Sequence, residues 1–428
     1  MIIPHTDQFE SRGLLFLQGP FGPFFRLLGT ALEQRGHRVH RINLNGGDRH
    51  DWGGGDDFVG TPDQWPLFLD AYLLENRITD IIVFGDCRPL HHSALGIARL
   101  RDRRIHVFEE GYIRPDFMTL ELGGVNGNSN LSRNPDWYVE TAQSLPAIPV
   151  FASIPASFDR RVREGVRYYW AMALGRLRFR HYRTHRPYSP VREGLGWFRR
   201  LVWRETEGER SRKALAAIQG RRYFCFPLQL SSDAQIRTHS PFPSVTAAID
   251  YVIASFARSA PRDTLLVLKK HPLDLGFDAF WRTVRQAAAR GGVGDRVFYV
   301  EHADIVPMVE NAVGVVTVNS TTGTLALRAG IPTAVLGQAV YHMPRITHQG
   351  PLDGFWAAPT APERAVYEAF CRVLYDRSLV HGGFTSDEGL ALLVKNAVER
   401  LELAPLRERL EIASLHERLP PAAIPMAT

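Results

Sequence analysis

Residues 264–274 read TLLVLKKHPLD, and the chain, which has 51 basic residues but only four lysines (Lys213, Lys269, Lys270 and Lys395), sets two of them side by side there. Two ammonium groups and an imidazole after an apolar run suit the holding of an anion such as a phosphate. Leu265 to Leu268 form the short apolar run of a covered parallel strand. Pro272 lacks a backbone donor and keeps His271 extended, so the chain must leave the sheet there with the imidazole at its carboxyl edge. In open α/β sheets that edge binds ligands. A snorkelling lysine pair beside a surface histidine is the plainer account of the same residues.

Three other stretches carry candidate chemistry. VTVNSTTGTLALRAGIP passes from a buried strand through a hydroxyl-rich turn into a helix, so Ser320, Thr321 and Thr322, preceded by Asn319, present hydroxyls and amides at a helix N-terminus. Capping uses one of those hydroxyls; the whole cluster favours a phosphate, at the same sheet edge as Lys269, Lys270 and His271. FEEGY puts Glu109 and Glu110 at a strand end, where adjacent side chains point to opposite faces and a single carboxylate lines a cleft as a general base or a nucleophile, unless the pair is a solvated turn. QGPFGPFF follows the first strand without GxGxxG spacing, which disfavours a dinucleotide; Gly19 and Gly22 permit tight turns, and the loop either faces an anion or is a plain connection. GGGDD at 53–57 has carboxylates for a metal but reads as a flexible turn, and no metal is expected.

The elements that must position these groups follow from the hydrophobic pattern. Residues up to about 110 alternate LLFLQ, a helix over 24–34, HRVHRINL, a helix through 67–74, DIIVFGD, a further helix and RIHVFEEG, which predicts βαβ units with a parallel sheet, after which the pattern stops. Alternation returns from Tyr223, with helices over 244–259, 277–290 and 322–329 between YFCFPLQ, LLVLKK, RVFYVE, GVVTVN and PTAVLG. Between the halves, residues 160–204 hold thirteen arginines against two glutamates, interleaved with Tyr168, Tyr169, Trp170, Phe179, Tyr182, Tyr188, Trp197 and Phe198. That block suits base stacking, a phospholipid headgroup surface or a solvated helix pair. The reading is α/β, two Rossmann-like domains around a basic helical connector: residues 1–150, a connector over 151–215, a second domain over 216–350, and C-terminal helices with a frayed tail over 351–428.

Composition narrows the function classes. Hydrophobic and charged fractions of 45% and 22% are those of a globular protein with two cores. Cys87, Cys225 and Cys371 are odd in number and lack CxxC spacing, which argues against a disulfide framework or a zinc site and fits a reducing cytoplasm. MIIPHTDQFESRG lacks a signal peptide's basic start and apolar core, and no stretch offers about 18 apolar residues for a span. A net charge of +6 favours an acidic partner, but without a recognition motif nucleic acid is not expected.

QGPFGPFF, FEEGYIRPDF, FPLQLSSDAQIRTHSPF, LKKHP and VNSTTGTLALRAGIPT, in that order over roughly residues 14–340, resemble the bacterial capsular polysaccharide synthesis proteins of the KpsS and KpsC group, in the single-copy KpsS-type arrangement. The resemblance implies a GT-B-like fold with a central cleft, an acceptor-side N-terminal domain and a nucleotide-sugar C-terminal domain. It implies a retaining glycosyltransferase that moves Kdo from CMP-Kdo, without a metal cofactor, to a lysophosphatidylglycerol anchor at the cytoplasmic face of the inner membrane. Its partners would be a second Kdo transferase and the capsule export machinery. Glu110 matches the catalytic carboxylate, where related sequences often carry aspartate; Glu109 adjoins it. His271 falls at the leaving phosphate, with Lys269, Lys270, Pro272, Asn319, Ser320, Thr321, Thr322 and Gln229 around the nucleotide sugar. Gln18, Gly19 and Gly22 face the cleft from the other domain, and position puts Arg237 and His239 near the sugar carboxylate or the lipid phosphate. The basic block would then rest on the anionic leaflet. Competing readings are a sialyltransferase-like enzyme using another CMP-sugar, and a non-catalytic export or assembly factor.

Overall fold

The protein is described from a computed structural model covering residues 11–155, 157–184, 190–231 and 233–418. The start of the N-terminal stretch, Tyr188 and the tail from Leu419 lie outside the described residues. The first lobe runs β1 (Gly13–Phe16), α1 (Phe24–Gln34), β2 (Arg38–Asn43), α2 (Gly46–Trp52), β3 (Asp56–Asp57), α3 (Trp65–Glu75), β4 (Asp80–Phe84), α4 (Pro89–Leu100), β5 (Arg104–Glu110), β6 (Phe117–Leu122) and α5 (Pro135–Gln143). Two connector helices follow, α6 (Phe158–Leu174) and α7 (Pro190–Ile218). The second lobe runs β7 (Tyr223–Pro227), α8 (Ala234–Arg237), α9 (Val245–Ser259), β8 (Leu265–Lys269), α10 (Phe280–Arg290), β9 (Val297–Val300), α11 (Ile305–Glu310), β10 (Gly314–Thr317), α12 (Thr322–Arg328), β11 (Thr333–Val335) and α13 (Leu352–Ala357). The chain ends with α14 (Arg364–Arg377), β12 (Leu379–His381) and α15 (Asp387–Arg418).

The sheets have strand orders β12-β6-β5-β4-β1-β2-β3 and β11-β10-β7-β8-β9. The second is parallel throughout, as its apolar strands predict, and β7 and β8 are buried along their whole length. With helices on both faces of each sheet and a cleft between the lobes, the arrangement is α/β and GT-B-like. Helix starts follow the sequence closely: Ser244 Oγ accepts the Ala247 N–H to begin α9, and Asn45 caps α2.

Three features depart from the sequence reading. The first sheet is not wholly parallel, because β6 returns antiparallel to β5 and β12 pairs antiparallel with β6. The reversal needs Gly111, where a Cβ would sit 2.1 Å from the Phe117 carbonyl oxygen. The segment after residue 350 is not a separate appendage. Phe355 and Trp356 of α13 complete the second core, whereas Leu390, Leu393 and Leu401 of α15 pack with Phe24 and Leu28 in the first. In the GGGDD stretch Gly53–Gly55 form the expected turn, but Asp56 and Asp57 continue as an edge strand: Asp57 takes ion pairs from Arg49 and Arg178, and Asp56 accepts the Tyr72 hydroxyl at 2.6 Å. A further apolar cluster joins Tyr112 and Tyr138 of the first lobe to Leu327 and Tyr341 of the second, fixing the lobes against each other. Among the described residues no helix is long and apolar enough to cross a membrane.

Candidate active site

Lys269, Lys270 and His271 emerge at the carboxyl end of β8, but their side chains diverge. Lys269 is buried, and its Nζ donates to the carbonyls of Lys270 at 2.7 Å and Glu301 at 3.3 Å. Burial, then neighbouring Lys270 and Arg200, lower its pKa to about 8 against the opposing effect of Cys225. Lys270 turns the other way and donates to Glu207 of α7 at 3.2 Å, lining a cavity of about 500 Å³ with Trp203 and Tyr299. A buried ammonium needs a carboxylate partner. The expected convergence of both lysines on one phosphate is therefore corrected: Lys270 is already paired.

His271 is oriented by its own turn. Its Nδ1 accepts the Leu273 N–H at 3.1 Å, so the ring proton sits on Nε2. Burial lowers its pKa to about 4, helped by Lys269 and Arg114 and opposed by Glu110. The ring is a neutral hydrogen-bond donor.

Across the cleft, Glu110 ends β5 and accepts from Arg114 at 2.8 Å and from Arg161 of α6 at 2.9 Å. Burial would raise its pKa, but Arg114 and Arg161, with a smaller effect from His271, bring it below the ordinary range. Glu109 lies on the other face of the strand end. Burial lifts its pKa to about 7, although it accepts the Glu110 N–H at 3.0 Å and feels Arg88. The two adjacent carboxyls thus differ in ionisation, as acid–base sites require.

Gln18 is buried and already engaged, its amide nitrogen donating to Tyr168 at 2.9 Å and Tyr182 at 3.1 Å. Gly19 packs against Phe25, and Gly22, at φ +90°, donates its N–H to Asp51 at 2.9 Å. This loop anchors α6, and Gln18 and Gly19 line the same cleft as Glu110, with the Gln18 amide already hydrogen-bonded. Gln229 accepts the Asn319 N–H at 3.0 Å and donates to Asp233, tying the β7 loop to the hydroxyl turn. Within that turn Ser320 Oγ accepts the Thr322 N–H and donates to Thr322 Oγ1, both at 3.1 Å, so its hydroxyl caps the chain locally, while Thr321 begins α12. Pro272 accepts from Arg200. Arg237 is exposed on α8. His239 is buried against Cys87 at 3.2 Å.

A cleft of about 560 Å³ runs outward from Glu110, walled by Phe21, Arg161, Val166, Trp197 and Leu273. It opens onto an exposed apolar stripe of α6 at Phe158, Val162, Val166, Trp170 and Leu174, with Trp170 66% and Leu174 81% exposed. The four-residue spacing sets these side chains along one slowly winding ridge of the helix, advancing about 40° per step.

The sequence matches the family model described as "Capsule polysaccharide biosynthesis protein" over residues 79–384. The chain belongs to this capsule polysaccharide biosynthesis family. It is 35% identical over 372 residues to the capsule polysaccharide export protein KpsS of Escherichia coli, covering 85% of this chain and 95% of that one. It is 33% identical over 388 residues to the capsule polysaccharide modification protein LipB of Neisseria meningitidis, covering 88% and 92%. Among solved structures, Thermosulfurimonas dismutans KpsC, a beta Kdo 2,7 transferase, aligns over 90% of this chain and 99% of its own at 14% identity and a TM-score of 0.41.

In this capsule biosynthesis protein two groups, one at the lobe interface and one on the exposed side of α6, escaped the sequence reading. Asp86, Cys87 and Arg88 follow β4 in the run IIVFGDCRP. Arg88 Nη1 donates to the Gln18 Oε1 at 3.1 Å and acts on Glu109. The signal was available: three polar residues directly after a fully buried strand, at the same carboxyl edge as the other motifs. The α6 stripe was equally legible as a four-residue spacing, masked by its arginines.

Proposed function

We propose that the chain is a glycosyltransferase that moves Kdo from CMP-Kdo to a lysophosphatidylglycerol-type lipid, adding the first β-Kdo of a capsule linker without a divalent metal. The observation that carries this reading is one cleft lined by Glu110 of the first lobe and by Leu273 of the second, two residues beyond His271, with Glu110 and His271 near enough to act on each other's ionisation. In the reaction the bond from the anomeric carbon to the CMP phosphate oxygen breaks, and its electron pair leaves with CMP as a phosphate dianion. His271 donates its Nε2–H to that oxygen as a hydrogen bond. Glu110, ionised, faces the anomeric carbon. Retention, which the resemblance implies, has it form a covalent sugar ester that the acceptor hydroxyl then displaces. The acceptor hydroxyl gives up its proton to water in the open cleft as the new bond forms, since Glu109 faces away from that cleft.

The acceptor side supports a lipid. The cleft from Glu110 continues into the apolar stripe of α6, and Arg160, Arg161, Arg163 and Arg167 lie on the same helix. Such a surface suits the anionic inner leaflet, with each exposed Arg contributing about 1 kcal/mol there. The enzyme would then act at the cytoplasmic face of the inner membrane, beside a second Kdo transferase and the export machinery.

Incubation of the protein with CMP-Kdo and a lysophosphatidylglycerol analogue, with no magnesium or manganese added, tests this. Mass spectrometry should show one added Kdo and stoichiometric CMP; CMP-sialic acid in a parallel reaction should give none. Product from CMP-sialic acid alone would reassign the donor, and no product from either would favour an assembly role.

A further inference from the structure

We propose that Asp86, Cys87 and His239 form a zinc-type metal site that clips the two lobes together at their interface, independently of the transfer chemistry. Asp86 and Cys87 follow β4 in the first lobe and His239 follows α8 in the second, yet their donor atoms all lie within 4.8 Å of one another. Cys87 Sγ is 3.2 Å from Asp86 Oδ1 and 3.2 Å from His239 Nε2. Those separations approach the edge, roughly 3.5 Å, of a tetrahedron around zinc with Zn–S near 2.3 Å and Zn–N or Zn–O near 2.0 Å.

Proton counting favours a cation at this point. The His239 ring faces Cys87 with Nε2 and also hydrogen-bonds the Gln338 side chain, which leaves Nδ1 as the nitrogen toward Gln338. Nε2 therefore aims a lone pair at Cys87. The thiol has one proton, and two acceptors, Asp86 Oδ1 and His239 Nε2, compete for it. A divalent ion replacing that proton would satisfy all three at once, with the thiol proton released to solvent and one coordination position left open.

The surroundings are those of an oriented ligand set. Asp86 Oδ2 accepts the Val125 N–H at 3.1 Å and Asn128 Nδ2 at 3.0 Å, and the outer nitrogen of His239 is held by Gln338. One sulfur, one imidazole nitrogen and one carboxylate oxygen select zinc over magnesium or calcium. None of the three residues lines the cleft at Glu110.

The full chain, stripped with chelator, is titrated with zinc by calorimetry, and its metal content is measured after dialysis. One ion per chain is expected, with a raised unfolding midpoint. Cys87→Ser and His239→Gln should each weaken binding at least tenfold, while Cys371→Ser should not change it. Cobalt(II) in the wild-type protein should show thiolate charge-transfer absorption, which reports Cys87 even if a variant fails to fold. Absence of that absorption, or zinc binding that survives both substitutions, would overturn the assignment.

Discussion

Glu110, the last residue of β5, and His271, the second residue after β8, lie on opposite lobes and are electrostatically coupled across the cleft, with Arg114 acting on both. The arrangement keeps the carboxylate ionised and the imidazole neutral. Glu110→Gln should lower Kdo transfer by about 10²–10⁴-fold. The paired carboxylate is partly exposed, so stability should change by no more than about 1 kcal/mol. CMP binding should persist. Product analysis beside a thermal melt checks this; wild-type turnover would remove Glu110 from the chemistry.

Glu109 separates burial from catalysis. Burial gives it a pKa of about 7, but it faces away from the cleft at Glu110, so its ionisation should leave the transfer rate level across neutrality. His271, with a pKa of about 4, is neutral over that whole range and adds no limb of its own. Glu109→Gln should keep the rate within about twofold of the wild-type value. A rate that rises through pH 7 in the wild type and is flat in the variant would make Glu109 the general base.

Lys270 separates a structural cation from a phosphate ligand. Glu207→Gln leaves its buried ammonium without a carboxylate and should cost about 3–5 kcal/mol of stability in urea, most of it recovered in Lys270→Met/Glu207→Met. The KM for the CMP-sugar in Lys270→Met should stay within about twofold of the wild-type value, since no donor contact is lost. A tenfold rise would restore Lys270 to the donor site.

The α6 stripe sets membrane affinity. Trp170→Glu with Leu174→Glu removes two exposed apolar side chains whose burial is worth roughly 1.5–3 kcal/mol each. Co-sedimentation with phosphatidylglycerol vesicles should fall at least tenfold, with the melting temperature unchanged because both side chains already face solvent. High salt should weaken wild-type binding only in part, since it screens the arginines and leaves the apolar contact. Equal binding by the double variant would move the lipid surface elsewhere.

Much of the fold was readable along the chain. Helix α1 spans the residues its periodicity predicts, α9 begins one residue after its Ser244 cap, and the apolar strands β7, β8 and β10 end at the motifs that mark the cleft. The return of β12 and α15 to the first lobe was not legible, because an isolated three-residue strand has no pattern to name its partner. The carboxyl-edge rule put one carboxylate of the Glu109–Glu110 pair and His271 at their sheet edges, and the family resemblance chose Glu110, but neither said anything of Arg161 reaching Glu110 from 51 residues away.

By itself the sequence determined the strands, the turns that end them and thus the edge on which reactive groups would gather, since burial periodicity and proline or glycine breaks act over a few neighbouring residues. Only the tertiary structure decided where each side chain points. It turned Lys270 to Glu207, separated the ionisation of Glu109 from that of Glu110, and set Cys87 against His239 across 152 positions. The physical reason is that charge pairing and ligand geometry depend on distances between segments far apart in the chain, which no local pattern contains.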